Sequence, residues 1–163
     1  MNILKEDVIK LLRENARYSI EQISKITGES PEKIVAVIKE LEDSGVIVKY
    51  SAILNSEVMS KKSVQALIEV KVAPQKLKGF DSCAEEIYEF PEVQSLYLMS
   101  GGFDLAVFVE GADISDIARF IAEKLSVIDG IISVQTHFIL KKYKIEGQIT
   151  KHLLEREREI IFA

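Results

Sequence analysis

At 163 residues, 47% hydrophobic and 29% charged, the chain is long enough for one ordinary domain or two small ones, with the composition of a globular protein rather than a disordered one. No apolar run approaches the roughly 18 residues a bilayer crossing needs, and the opening MNILKEDVIK has acidic residues where a secretory leader needs an apolar core, so the cytoplasm is the expected compartment. Cys83 is the single cysteine, which excludes an intramolecular disulfide and a cysteine-based zinc cluster, and the net charge of −5 offers none of the basic surplus of a strong nucleic-acid binder.

Residues 1–55 hold eight Lys or Arg against nine Asp or Glu, and the remainder carries a net charge of about −4. Leu4, Val8, Leu11 and Leu12 recur at helical spacing and predict an amphipathic first helix, interrupted at Asn15–Tyr18. Ser19 with Gln22 three residues on is a capping-box signature for a second helix whose apolar positions are Ile20, Ile23 and Ile26. Gly28-Glu29 makes a turn. Ser30-Pro31 then opens a third helix on Ile34, Val37, Ile38 and Leu41, ended by Gly45. Two helices joined by a tight glycine turn describe a helix-turn-helix unit. Val46 to Leu54 alternates loosely, as a short strand or wing does.

From residue 63 the period changes. Ser63–Val72 reads as a strand with Val64, Ala66, Ile68, Val70 and Val72 on one face. Residues 76–90 read as a helix on Phe80, Cys83, Ala84, Ile87 and Phe90, stopped by Pro91. On that face Cys83 is a small core residue. Val93–Met99 and Asp104–Glu110 form a predicted hairpin around Ser100-Gly101-Gly102-Phe103. Asp113 caps a helix reaching Val127, with Ile117, Phe120, Ile121 and Leu125 inward, and Ile131–Lys144 is the last strand. The fold class is therefore α+β: an N-terminal winged helix-turn-helix (1–55), a linker (56–62), a ferredoxin-like βαββαβ domain (63–147) and a charged C-terminal helix (148–163). In such a sheet both helices cover one face, and the open face and edges are expected to pair with a second subunit.

Ile9-Lys-Leu-Leu12, Asn15-Ala-Arg-Tyr-Ser19, Leu41-Glu-Asp-Ser-Gly45-Val-Ile47 and Tyr50-Ser-Ala-Ile-Leu-Asn55, in this order, resemble the N-terminal half of the Lrp/AsnC (leucine-responsive, feast/famine) regulators. Gly101-Gly-Phe-Asp104-Leu105 is similar to that family's Gly-x-x-Asp turn, and Val134-Gln-Thr136, Leu140 and Lys144 to its last strand. The resemblance covers about residues 5–145. It implies a regulator whose N-terminal half reads double-stranded DNA. Its C-terminal half then dimerises, or assembles into tetramers or octamers, and binds an amino acid or similar metabolite near the Gly-x-x-Asp turn. On that frame the effector residues are Gly101, Gly102, Phe103 and Asp104, with Thr136 on the facing strand and Tyr97, Met99 and His137 nearby. A glycine turn exposes backbone N–H groups and a carboxylate such as Asp104 pairs with an α-ammonium.

The DNA-facing residues on the same frame are Ser30, Lys33, Ala36 and Lys39 on the third helix, flanked by Arg17, Lys25 and Lys49. Here the chain departs from its relatives, because Ala36, Val37 and Glu40 stand where arginines are common. Neither Ala nor Glu replaces bidentate guanine contacts or phosphate pairing. A second reading is thus a sensor or partner subunit of this fold that does not bind DNA. A third, a haem-pathway decarboxylase of the same architecture, calls for converging histidines and arginines, whereas the second half offers only Arg119, Arg156 and Arg158. His137 and His152 are the only histidines, without a metal-spaced cluster, and no catalytic motif is present, so no metal, cofactor or enzymatic activity is expected.

Overall fold

The computed structural model describes residues 2–56, 59–60, 62–73 and 80–150, which fall into two compact units, residues 1–54 and 55–163. Among the described residues no helix is long and apolar enough to cross a membrane.

The first unit is three helices: α1 Ile3–Glu14, α2 Ile20–Thr27 and α3 Pro31–Asp43. Local chemistry starts and stops them. The Ser19 hydroxyl accepts from the Gln22 backbone N–H at 3.2 Å while the Gln22 side chain accepts from the Ser19 N–H at 2.8 Å, so both orphan donors are satisfied as the capping box requires. Gly28 ends α2 in the left-handed region at φ 74°, where a Cβ is strained. Ser30 caps α3 and Pro31 occupies its first turn, where a missing N–H costs nothing. Leu4, Val8, Ile23, Ile34 and Leu41 form the buried core, with Leu11, Leu12, Ile20, Val37 and Ile38 packed around it. Ile26, one of the three apolar positions read on α2, is 56% exposed, whereas Ile23 is buried and Ile20 packs on the core.

Residues 46–54, read as a short strand or wing, form no strand among the described residues. After Gly45 (φ 71°) the Ile47 N–H closes on the Leu41 carbonyl at 3.0 Å, and residues 48–55 make no strand. An extended segment becomes a strand only when a neighbour takes its backbone groups, and among the described residues none does.

The second unit runs β1 Val64–Val72, α4 Asp81–Tyr88, β2 Val93–Leu98, β3 Leu105–Gly111, α5 Ile114–Phe120 and β4 Ile131–Phe138. The sheet order is β2-β3-β1-β4 with antiparallel neighbours throughout. This is the expected βαββαβ ferredoxin-like arrangement. Ala66, Ile68, Val70 and Val72 of β1 and Leu105, Val107 and Val109 of β3 bury against Cys83 and Ile87 of α4 and Ile117 and Phe120 of α5. Each buried Val, Ile, Leu or Phe among them contributes about 1.5–3 kcal/mol by leaving water. Burial also pushes the Cys83 thiol above its ordinary range, with the Glu86 charge adding to it, as suits a core residue rather than a nucleophile.

Four boundaries differ from the sequence reading. The first helix of this unit starts at Asp81, residues 76–79 lying outside the described ones. The second ends as an α-helix at Phe120 and finishes in a π-helical turn, Ile121–Leu125. The last strand stops at Phe138 instead of Lys144, because its partner β1 begins at Val64: the Ile139 N–H bonds to Gln65 and no strand remains beside residues 140–143. Residues 148–149, assigned to a C-terminal helix, are extended. Glu146 (φ 45°) and Gly147 (φ 83°) make a two-residue turn with both φ positive, so β5 Lys144–Ile145 pairs with β6 Gln148–Ile149 as a small hairpin. Residues 151–163 of that expected helix lie outside the described ones.

Candidate DNA-reading helix and effector-binding turn

On α3 the side opposite Ile34 and Leu41 presents Glu32, Ala36, Lys39 and Asp43, at i, i+4, i+7 and i+11, all exposed. Val35 beside them is 51% exposed. Two neighbouring charges are already engaged: Lys33 pairs with Glu29 at 2.8 Å, and Glu40 accepts from Lys5 of α1. Glu32 sits at the helix N-terminus, where its own backbone N–H and then the Ser30 hydroxyl hold its carboxyl below the ordinary range. A phosphate approaching that end meets an ionised carboxylate. Ser30, Ala36, Lys39, Arg17, Lys25 and Lys49 are exposed, as the sequence reading requires. Lys10, Arg13, Arg17, Lys25, Lys39 and Lys49 make no ion pair among the described residues, which leaves the unit six uncommitted cations.

The residues expected to bind an effector are not all in one place. Tyr97, Met99 and the Gly101–Asp104 turn gather at one end of the β2–β3 hairpin. The Asp104 backbone N–H bonds to Val70 at 3.0 Å, its carbonyl accepts from Met99 at 2.8 Å, and its Oδ2 accepts from the Val72 N–H at 2.8 Å. That carboxylate therefore staples the turn to β1, and Oδ1 keeps no partner among the described residues. Neither Gly101 nor Gly102 has a left-handed backbone, and the place of an added Cβ is open at both. Their missing side chains leave room for a close approach from outside rather than relieving strain within.

Thr136 and His137 are elsewhere. They belong to β4, the opposite edge strand, with β1 and β3 between it and β2. Directly opposed residues share a face. Thr136 opposes the buried Ile68 and lies on the helix side, whereas His137 opposes Leu67 on the open face, its Nε2 3.2 Å from Glu69 Oε1. The open face also carries Tyr97 edge-to-face with Phe108, centroids 5.9 Å apart, with Leu67 opposite Phe108. The alternation Gln65, Leu67, Glu69, Lys71 along β1 is the sequence signal for that surface.

A capped three-helix unit followed by a sheet with one face left open is the architecture of a two-part regulator, one part reading DNA and the other binding a ligand. Residues 1–48 match a winged helix-turn-helix DNA-binding model, and residues 65–149 match the Lrp/AsnC ligand binding domain. The chain belongs to the Lrp/AsnC family of DNA-binding transcriptional regulators. It is 44% identical over 144 residues to an HTH-type transcriptional regulator of Bacillus subtilis, YugG, spanning 88% of this chain and 87% of that one. An AsnC family transcriptional regulator from Agrobacterium tumefaciens superposes with a TM-score of 0.70 at 25% identity, over 96% of this chain and 99% of that one. The transcriptional regulator NMB0573 of Neisseria meningitidis, solved as a complex with L-Met, superposes with a TM-score of 0.67 at 24% identity over 96% and 99%. The relatives are regulators of transcription.

Proposed function

We propose that this regulator changes its affinity for DNA, or its assembly, when an amino acid binds at the Gly101–Asp104 turn. The observation that carries the reading is the turn itself. Its backbone is open to approach at two successive glycines, a carboxylate pinned on one oxygen keeps the other for an ammonium group, and Tyr97, Met99 and Phe103 supply apolar and aromatic surface beside it. The complex of NMB0573 with L-Met supports the ligand class. The separation of β4 from the turn supports an assembly in which a second copy completes the pocket with its own His137 from the open face, whereas Thr136 faces the helix side. The half-apolar open face of Tyr97, Phe108 and Leu67 is the surface we assign to the homodimer, with tetramers or octamers built from it. In this scheme residues 1–55 read DNA through Ser30, Lys33, Ala36, Lys39, Arg17, Lys25 and Lys49, residues 56–62 link, and residues 63–147 sense.

Thermal unfolding of the full chain with each amino acid in turn tests the proposal, since a ligand that binds only the folded state raises the midpoint by mass action. One amino acid, or a small chemical group of them, is expected to stabilise the protein, and Asp104→Asn, which keeps an acceptor for the Val72 N–H, is expected to keep the ligand-free midpoint and lose the response. An equal response in Asp104→Asn, or none from any amino acid in the parent, overturns the assignment.

The second reading, a sensor or partner subunit without DNA affinity, is favoured by the carboxylates of Glu29, Glu32 and Glu40 on and beside α3. A salt titration of duplex binding separates the two. A reader of DNA tightens steeply as salt falls, and a pure sensor shows no binding at any salt.

A further inference from the structure

We propose that the second unit carries its own contact to the DNA backbone, a lysine recess formed by Ser56, Lys62, Ser63, Lys141 and Lys142. The inference rests on the family's DNA binding and adds a surface to it that lies outside the helix-turn-helix.

The recess is built where the sheet runs out. Because β4 extends only as far as its β1 partner, the Ile139 N–H takes Gln65 and the chain turns off alongside residues 62–65. The β5–β6 hairpin then returns Thr150 to the same place. Its N–H bonds to the Tyr143 carbonyl at 3.1 Å, its hydroxyl donates to the Lys142 carbonyl, and its carbonyl accepts from Asn55 Nδ2 at 2.8 Å. The carbonyls of Lys142 and Tyr143 are thus both tied to Thr150, which is itself tied to Asn55. Here lies a cavity of about 130 Å³ lined by the three lysines and two serine hydroxyls, with no carboxylate among the described residues of its wall. The remaining polar lining residue, Gln65, spends its amide on Glu110 at 2.8 Å.

Three features point to a phosphodiester. Lys62, Lys141 and Lys142 make no ion pair among the described residues, so like charges stand together in a chain whose net charge is −5. Lys141 lies 5.4 Å from the centroid of the exposed Tyr143 ring, an arrangement of cation and aromatic suited to a nucleic-acid surface. The cavity has room for one tetrahedral oxyanion, with serine hydroxyls beside it to bond it. The partner is the DNA backbone rather than a free anion because the unit that reads DNA has no surplus of cations: outside its two ion pairs six cations face seven carboxylates, and Glu32 and Asp43 lie on the outward side of α3.

The test is the salt dependence of binding of the full chain to a fluorescein-labelled mixed-sequence duplex, for the parent and for the variant combining Lys62→Gln, Lys141→Gln and Lys142→Gln. Each lost phosphate contact flattens the plot of log Kd against log salt by about 0.9, so the variant's slope is expected to be shallower by about two to three per subunit, with binding weakened alike on all sequences. The circular dichroism and melting midpoint should match the parent, the three side chains being partly or fully exposed. An unchanged slope in a folded variant overturns the proposal. So does loss of binding to inorganic phosphate, or to phosphatidylserine vesicles, with the duplex slope intact, which marks the recess as a free-anion or membrane site. A parent that binds no duplex at low salt overturns the DNA reading itself, a result distinct from an unchanged slope.

Discussion

The two halves of the molecule reach stability by different routes. Among the described residues, 1–54 rest on a buried core of five side chains and on caps whose partners are three residues apart, whereas the second unit has a core cluster of thirteen buried side chains on a sheet whose paired residues are up to 72 apart in sequence, Ala66 with Phe138. A unit of about fifty residues buries a smaller fraction of its surface than a larger one and is marginal alone. The first unit is therefore the fragile one and the second the more stable.

Four changes sharpen or break this contrast. The largest effect is expected from Phe120→Ala, which empties the centre of the second unit where Phe120 meets Phe90 edge-to-face at 5.6 Å, costing about 3–5 kcal/mol. Denaturant unfolding should show it as loss of the whole sheet. Ile34→Ala in the small core costs about 2–5 kcal/mol, comparable to all the stability such a unit possesses. Hydrogen exchange should then show residues 3–43 opened while β1, β3 and β4 stay protected. Loss of protection in both units together would dissolve the contrast.

Smaller effects test single hydrogen bonds. Asp104→Ala strips the acceptor from the Val72 N–H and is expected to cost about 1–3 kcal/mol, where Asp104→Asn costs far less. Equal destabilisation by the two would mean the staple contributes little. The smallest effect is electrostatic. Glu92 is held below the ordinary carboxylate range by its hydrogen bond to Lys124, against the opposing effect of burial. A lowered folded-state value means its contribution is present above the ordinary carboxylate pKa and is lost as pH falls through the folded one. Lys124→Met should therefore lower the melting midpoint near neutral pH, by at most about 1 kcal/mol for this partly exposed pair, and the gap to the parent should close in acid. A gap that persists in acid assigns the loss to packing on Phe90, which Lys124 overlies at 5.6 Å.

What the sequence made legible was local. Ser19 with Gln22, Ser30 with Pro31 and Asp113 each announce a helix start, because a cap is read within four residues. The inward face of β1 was legible too, since alternation needs no partner to be seen. The features that escaped depend on distant neighbours. Where the last strand stops is decided by where β1 begins, seventy residues earlier, and the wing needed a pairing strand that the described chain does not supply. The candidate effector site divided for the same reason. Tyr97 through Asp104 are consecutive and stay together, whereas the face and edge of Thr136 and His137 depend on sheet order and a single residue of register. The Glu146-Gly147 turn was hidden because glutamate is an unusual occupant of a left-handed position.

The most direct test of the central claim is recovery of sheared genomic DNA by the full chain, sequenced with and without a mixture of the twenty amino acids, at low and moderate salt. A ligand-responsive regulator predicts selective enrichment of a few fragments that changes when the mixture is added, and no such change for Asp104→Asn. Absence of enrichment at low salt, or a pattern indifferent to amino acids in the parent, would contradict it.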